Sequence, residues 1–398
     1  MRAGASDSVL ASTAGWSCRV SSWLGSTLLA GDVPVLGGRV NASTTRVVPE
    51  EITFTVPPFS VEGGQTVSWL PRDPDAALGR FGQVVDVTVS AGGVDTRIGR
   101  FLITGWVEQD DGSIQISGKG LLQQAEDDRL LTATGPRDDG TLKSEFLRML
   151  PAYMTASFDP SLSDRAVPRT MEWDENRLDN LYKIADSWPA RVRSDVWGQV
   201  QVLPPLAASA TPVLTIRDGG SIVTRVRVMS GDVFPADDVF PADDEFPGSV
   251  RNVDVPRGPG GTLISAPTSD TRDGTYNTFV ARSSADGVEA QAVATVQGGP
   301  MDPTGPYRPV PKFFASPLLL TKAQCLAAAT TMRDESVRQS RIRKVTFAPD
   351  PRVELDDPVE IITGWGTRRM FREWGFVVGY DLPLTINDGP SRADVATF

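Results

Sequence analysis

Paired carboxylates are the side chains in this sequence whose type and spacing could support acid–base chemistry. Aspartates stand side by side at three places, Asp127-Asp128, Asp138-Asp139 and Asp356-Asp357. Enzymatic hydrolysis of a glycosidic bond uses two carboxyl groups that flank one substrate, and neighbours in sequence rarely do so. We therefore interpret the pairs as solvated loop or helix-cap positions. A hydrolase built on carboxylates stays open as an alternative.

Histidine is absent from the chain, and cysteine occurs only at Cys18 and Cys325. Without histidine, Ser-His-Asp and Cys-His pairs, HExxH zinc sites and most general-base chemistry near neutral pH are excluded. Two distant cysteines exclude a disulfide framework and a thiol-rich metal site, so we predict buried free thiols and synthesis in a reducing cytoplasm. The sequence thus predicts no catalytic residue, no cofactor-binding residue, no metal ligand and no enzyme activity.

A hexapeptide, Val-Phe-Pro-Ala-Asp-Asp, occurs twice in succession at residues 233–244 and is followed by Glu-Phe-Pro at 245–247. Calcium prefers carboxylate oxygens, and the repeats offer four carboxylates, from Asp237, Asp238, Asp243 and Asp244. Their spacing fits no EF-hand loop, and the glycine that such a loop needs is missing. We predict a duplicated exposed loop without metal. A contact of the Phe-Pro units with a neighbouring subunit is a further interpretation.

Two weaker patterns could bind phosphate or sugar. The sequence Gly-Pro-Gly-Gly at residues 258–261 lacks the Lys-Ser/Thr and the helix that follow a phosphate-binding loop. Tryptophans could form a platform for sugar rings, but those within strand patterns favour core or interface packing; they are Trp16, Trp23, Trp69, Trp106 and Trp374. A carbohydrate-binding adhesin stays open as an alternative.

Length and charge limit the remaining classes of protein. The chain has 398 residues, 40% of them hydrophobic, and a formal net charge of −11. This length predicts two to four domains. We expect neither a membrane span, since no run of about 18 apolar residues occurs, nor a secretion signal at residues 1–10. The negative charge argues against binding of the nucleic-acid backbone. It is compatible with a conduit through which DNA slides, and equally with simple solubility.

The fold that positions the candidate residues is predicted to be mainly β with an α/β insert, which is an α+β fold. Residues 1–118 are predicted as a β-barrel-like domain, because short alternating runs are separated by turn residues. The runs are 16–24, 33–40, 47–56, 65–70, 82–89, 97–106 and 113–117. Residues 119–208 are predicted as the α/β insert, with helices at 119–129, 142–150 and 175–188 and a hairpin at 191–203. Thr141 and Asp174 are the predicted caps of the second and third helices.

The second half of the chain returns to strand patterns. Residues 209–348 are predicted as a second β-barrel-like domain with a helix at 321–337, whose capping box is Thr321 and Gln324. The predicted apolar face of this helix consists of Cys325, Leu326, Ala329 and Met332. Residues 349–398 are predicted to supply strands at 358–363, 369–380 and 382–386 that close the second β unit, and a disordered tail after Gly389. Three strands without lysine, at 51–56, 221–229 and 277–282, are candidate exposed edges for subunit contacts; the alternative is that they lie inside the barrels.

The order of these elements, and several of their sequences, resembles bacteriophage tail hub and minor tail proteins over nearly the whole chain. Residues 99–103 (Gly-Arg-Phe-Leu-Ile) resemble a hub strand in which glycine, phenylalanine and isoleucine alternate. The hairpin at 194–198 (Ser-Asp-Val-Trp-Gly) follows a helix, as in these hubs. Residues 277–282 and the helix at 321–337 resemble their third part. Residues 353–359 resemble the entry into their last strands, with Asp357 or Pro358 in place of a glycine.

The resemblance implies a structural role in the virion. Such hubs are homotrimers with two similar β-barrel domains per subunit, which form a pseudo-sixfold ring at the distal end of the tail tube. The implied partners are the distal tail protein, the tape measure protein and tail-tip or receptor-binding proteins. DNA would pass through the ring without specific binding, and no membrane anchor is implied. A tail-associated adhesin and a cell-wall hydrolase remain the alternatives.

Overall fold

The computed structural model describes residues 1–10, 15–62, 64–207, 209–219, 222–228, 251–257, 261–270, 272, 274–339, 341–365 and 370–397. It is mainly β, with 41% strand and 14% helix, which confirms the predicted α+β class. The duplicated hexapeptide at 233–244 and most of the Gly-Pro-Gly-Gly sequence lie outside the described residues. In the part of the chain that the structure describes, no helix is long and apolar enough to cross a membrane.

The N-terminal part consists of hairpins joined at short turns. After the single turn of α1 (Asp7–Leu10), its strands are β1 (Trp16–Leu24), β2 (Thr27–Val33), β3 (Gly37–Ser43), β4 (Glu50–Val56), β5 (Phe59–Glu62), β6 (Gln65–Ser68), β7 (Gln83–Ala91), β8 (Val94–Glu108) and β9 (Ile114–Gly120). Turns at Gly92 and Gly112 join β7 to β8 and β8 to β9, between runs that the sequence predicts as strands. The turn at Gly25 leads into β2, most of which corresponds to no predicted run. The predicted strand at 33–40 is wrong, because a bend at residues 34–36 separates β2 from β3.

The insert contains three helices and a small sheet. The helices are α2 (Gln123–Asp127), α3 (Leu142–Met149) and α4 (Arg177–Ser187), and the strands are β10 (Ala156–Phe158), β11 (Arg191–Ser194) and β12 (Val200–Leu203). Thr141 caps α3 as predicted, since its side chain accepts a hydrogen bond from the backbone N–H of Ser144. The predicted cap of α4 is wrong: Asn176 accepts from the N–H of Asp179, because the helix begins two residues later than expected.

The C-terminal part carries one long helix and twelve strands among the described residues. They are β13 (Leu214–Arg217), β14 (Ile222–Val228), β15 (Arg251–Arg257), β16 (Leu263–Ser265), β17 (Thr268–Asp270), β18 (Thr278–Ser283), β19 (Gln291–Thr295), β20 (Pro311–Ser316), α5 (Lys322–Gln339), β21 (Arg341–Phe347), β22 (Pro358–Thr363), β23 (Phe371–Pro383) and β24 (Ser391–Thr397). The predicted disordered tail is wrong, since β24 pairs with β21 and β23. Leu326 is also misplaced by the sequence, because it is exposed rather than on the apolar face of α5.

One sheet of fourteen strands connects the two ends of the chain, through the pairing of β3 with β23. Two candidate edge strands are inside sheets: β4 pairs with β3 and β9, and β18 pairs with β19 and β20. The prediction of exposed edges is therefore wrong for them, and the alternative holds. Phe54 and Phe279 are fully buried within the chain, so neither is available to a neighbouring subunit.

The three largest clusters of apolar side chains among the described residues stabilise the fold. The largest joins strands from both ends of the chain, from Val20 to Val395. The second lies within the insert around Trp173 and Phe146. The third fixes α5 on one face of the β18–β20 sheet, around Phe279 and Cys325. Elements far apart in sequence are thus held against each other, which positions the polar side chains at their junctions.

Candidate functional site

The three aspartate pairs lie on different elements, and each pair has its own partners. Asp127 ends α2 and accepts a hydrogen bond from Gln123 Nε2 at 2.7 Å. Asp128 lies 3.5 Å from the guanidinium of Arg177. The side chain of Asp138 is 89% exposed in a loop. Loop and helix-end positions are therefore confirmed for these two pairs.

The solvated position predicted for Asp356-Asp357 is wrong. The Asp356 side chain is 11% exposed and accepts hydrogen bonds from Arg191 and Arg193 on β11. Asp357 is 5% exposed; it accepts from the backbone N–H of Glu354 at 2.8 Å and from the amino group of Met1. Both carboxylates are buried, because cationic groups from distant parts of the chain neutralise their charges.

The backbone of Asp356 is left-handed, with φ at 68°. Aspartate adopts this region more readily than most residues, and glycine adopts it freely. The resemblance to hub proteins placed the missing glycine at Asp357 or Pro358. The structure places the left-handed backbone one residue before these two, at Asp356.

A second group of buried charges lies where the first residues of the chain meet the C-terminal strands. The Arg2 guanidinium is buried, donates to the Tyr380 hydroxyl at 2.8 Å and also donates to the Val353 carbonyl. Glu50 on β4 lines the same small cavity as Arg2 and Tyr380. Burial raises the pKa of Glu50 to about 7, although Arg2 and Arg193 attract its charged form. A carboxyl that is ionised only in part near neutral pH therefore sits at this junction.

A cleft of about 390 Å³ opens between the insert, α5, β20 and the C-terminal strands. Its charged lining residues are Asp186, Arg191, Arg193, Lys312, Glu335, Arg338 and Asp356, and its apolar lining includes Pro205, Leu206, Phe313 and Met332. The volume is in the range of ligand sites in proteins. Sequence reasoning missed this cleft, because its residues come from elements that no local pattern brings together.

The five tryptophans considered as a sugar platform are buried wholly or in part. Trp69 belongs to the largest core and Trp16 and Trp106 pack against it, which confirms the packing interpretation for these three. Trp23 and Trp374 are partly buried. The described residues contain no group of three or more Cys, Asp or Glu side chains that could hold a metal ion.

Both cysteines are free thiols, as predicted. Cys325 is fully buried, whereas Cys18 is partly buried. Burial raises the pKa of the Cys18 thiol to about 12, with smaller contributions from Asp32 and Asp388. This thiol is therefore neutral at physiological pH and is a poor nucleophile.

No family model and no curated protein matches the sequence. Solved structures do match over nearly the whole chain. A tail protein from Neisseria meningitidis matches with a TM-score of 0.59 and 12% identity, covering 95% of this chain and 96% of that one. The chain has the fold of a tail protein.

Two further structures with this tail-protein fold come from prophages. The 43 kDa tail protein of prophage MuSo2 from Shewanella oneidensis has a TM-score of 0.56 and 12% identity, covering 96% of this chain and 98% of that one. A prophage tail protein from Listeria monocytogenes has a TM-score of 0.51 and 10% identity, covering 95% and 94%. At these identities the agreement concerns the fold.

Large apolar side chains remain exposed on this tail-protein fold. Phe59 and Val61 on the β5–β6 hairpin are 59% and 74% exposed, and Phe81 is 61% exposed. Phe371, at the start of β23, is 65% exposed. Exposed apolar side chains of this size mark contact surfaces when they are grouped. Two of them, Phe59 and Val61, lie together on β5. In the described chain β5 and β6 pair only with each other.

Proposed function

We propose that the chain is a structural subunit of a bacteriophage tail, and more specifically a hub protein at the tail tip. The observation that carries this proposal is the agreement of fold over at least 94% of both chains with three tail proteins. The absence of histidine removes the commonest general base of hydrolases, which favours a role without catalysis.

The proposed assembly is a homotrimeric ring. Each subunit would consist of four segments, residues 1–118, 119–208, 209–348 and 349–398. Its two β units would alternate around the ring. The ring would connect the tail tube and the tape measure protein to the host-recognition apparatus. The distal tail protein and the tail-tip or receptor-binding proteins would be its further partners. The net charge of −11 suits a ring through which DNA passes without sticking. The β5–β6 hairpin is the proposed subunit contact, because burial of Phe59 and Val61 would remove apolar surface from water.

Cryo-electron microscopy of complete tails that carry this chain tests the proposal. We expect three copies in one ring at the tip of the tail. Six copies per ring, or copies only on peripheral fibres, would contradict the hub assignment. Purified protein should release no muropeptides from peptidoglycan, and release would favour a cell-wall hydrolase instead.

A variant with Phe59→Asp and Val61→Asp tests the proposed contact. Introduced charges in an interface oppose its burial, so we expect tails to assemble without the ring while the purified chain keeps its thermal midpoint. Leu131→Asp is the matched control, because Leu131 is 99% exposed in the insert. Normal rings with the hairpin variant would exclude this hairpin as the contact.

A further inference from the structure

The cleft beside α5 separates its charges into two ends. Arg191, Arg193 and Arg338 lie around Asp356 at the inner end, and Arg191 and Arg193 donate hydrogen bonds to it. Asp186, Glu335 and Lys312 lie together at the outer end. Over the whole lining, four cationic side chains face three carboxylates, which leaves a small excess of positive charge.

Among the described residues, Arg338 donates the fewest hydrogen bonds of the three arginines. Its charge is attracted first by Glu335 and then by Asp334 and Asp356. Arg338 is 7% exposed, and among the described residues its guanidinium donates one hydrogen bond, to the Leu206 carbonyl at 3.4 Å. A guanidinium has five N–H donors, and a buried one needs partners for most of them. Burial lowers the pKa of Arg338, and it lowers that of Arg191 despite the attraction of Asp356. A further anion at this end would stabilise both charges.

The walls of the cleft indicate what carries such an anion. Phe313 is 63% exposed, and it lines the cleft with Pro205, Leu206 and Met332. Three successive residues of β20, from Lys312 to Phe314, line it as well. Within the described chain β20 pairs with β18 alone, so its other edge offers backbone hydrogen bonds to an extended chain. Apolar walls and an open strand edge suit a peptide better than an inorganic ion.

We propose that this cleft binds an acidic peptide segment of a partner protein, with a carboxylate of the peptide at Arg338. The peptide lies along the open edge of β20 and places an apolar side chain against Phe313. Charge complementarity selects an Asp- or Glu-containing segment. The proposal is independent of the tail-hub assignment, because it rests on the cleft alone.

Titration with labelled peptides tests the proposal on the full chain. The probe is acetyl-Ala-Phe-Asp-Asp-amide, and its control is the Asn-Asn analogue. We expect the acidic peptide to bind at least about tenfold more tightly than the control, because truncating one member of a desolvated charge pair costs that much or more. Equal affinity for the two peptides, or no binding of the acidic one, would overturn the proposal. Binding of inorganic phosphate that displaces the acidic peptide would instead assign the site to small oxyanions.

Variants on the two sides of the cleft complete the test. Arg338→Gln should weaken binding of the acidic peptide about tenfold or more. Lys322→Gln is the matched control, since Lys322 begins the same helix but does not line the cleft. Because Arg338 is buried, its variant could unfold, and Phe313→Ala at the exposed wall gives a second measurement. Unchanged affinity in both cleft variants, with intact folding, would exclude this cleft as the binding site.

Discussion

Arg193 donates two hydrogen bonds to Asp356: its Nε lies 2.7 Å from Oδ2, and one terminal nitrogen lies 3.2 Å from Oδ1. This forked geometry matches the planar guanidinium to the planar carboxylate, which makes it stronger than a single charged hydrogen bond. Arg191 donates to the same Oδ2 and also to the Pro204 carbonyl at 2.8 Å. The contact therefore fixes the β11–β12 hairpin of the insert against the segment that enters β22.

Asp356→Asn should destabilise the chain by roughly 2–4 kcal/mol, because two partly buried guanidiniums lose their shared counter-charge. Asparagine tolerates the left-handed backbone, so the change tests charge rather than conformation. Equilibrium unfolding in urea measures the loss. Asp138→Asn is the control, and it should change the stability by less than about 0.5 kcal/mol since that side chain is 89% exposed. An equally small effect at Asp356 would show that the fork contributes little.

Glu50→Gln should stabilise the chain above neutral pH. The pKa of Glu50 is raised from 4.5 to about 7, mainly by burial. The folded chain therefore holds this proton more tightly than the unfolded chain, so stability falls as pH rises from 4.5 to about 7 and stays lower above that window. Glutamine has no charge to desolvate, and the variant avoids this loss.

Thermal midpoints measured at about pH 4 and about pH 8 test the expectation. The difference between Glu50→Gln and the native chain should be larger and more stabilising at pH 8. Glu51→Gln is the neighbouring control on the same strand: its side chain is 37% exposed and pairs with Arg46. A pH-independent difference at Glu50 would contradict the raised pKa.

Local chemistry explains which elements could be predicted. Thr141, and Thr321 together with Gln324, mark the starts of α3 and α5 within one residue of the predicted positions. Likewise, Gly92-Gly93 and Asp111-Gly112 supply turns that bring neighbouring strands together. Each signal acts over a single turn, so sequence alone was sufficient.

Contacts between distant residues explain the failures. β24 is short and ends the described chain, and it is a strand because β21 and β23 pair with both its edges. Arg193 and Asp356 are 163 positions apart, so no local pattern indicated that this aspartate is neutralised. The cleft was missed for the same reason, since its inner arginines come from β11 and α5. Alternation of Ala393 and Val395 was the one signal that could have identified β24.

Trp173→Phe should destabilise the insert by roughly 2–4 kcal/mol. Trp173 is fully buried, and its indole N–H donates to Glu145 Oε2 at 2.7 Å. Glu145 is also fully buried and keeps Arg148 as a partner. Phenylalanine removes a hydrogen bond to a buried carboxylate and leaves unfilled volume. Urea unfolding with Trp197→Phe as the control measures the effect, because Trp197 is 63% exposed. Equal losses in the two variants would contradict this account.

Gly198→Ala should cost more than an alanine at another left-handed glycine. Gly198 has φ at 85°, where a side chain is strained, and an added Cβ would lie 2.2 Å from Leu121 Cδ1. Gly287 has φ at 72° but no neighbour within 4 Å, so Gly287→Ala measures the backbone cost alone, about 1–2 kcal/mol. The excess at Gly198 reports the contact between the β11–β12 hairpin and Leu121. Combining Gly198→Ala with Leu121→Ala should reduce the cost of the glycine change to the value at Gly287. If the two glycine variants lose the same stability, the hairpin does not press on Leu121, and the junction between the insert and the N-terminal strands is looser than these contacts indicate.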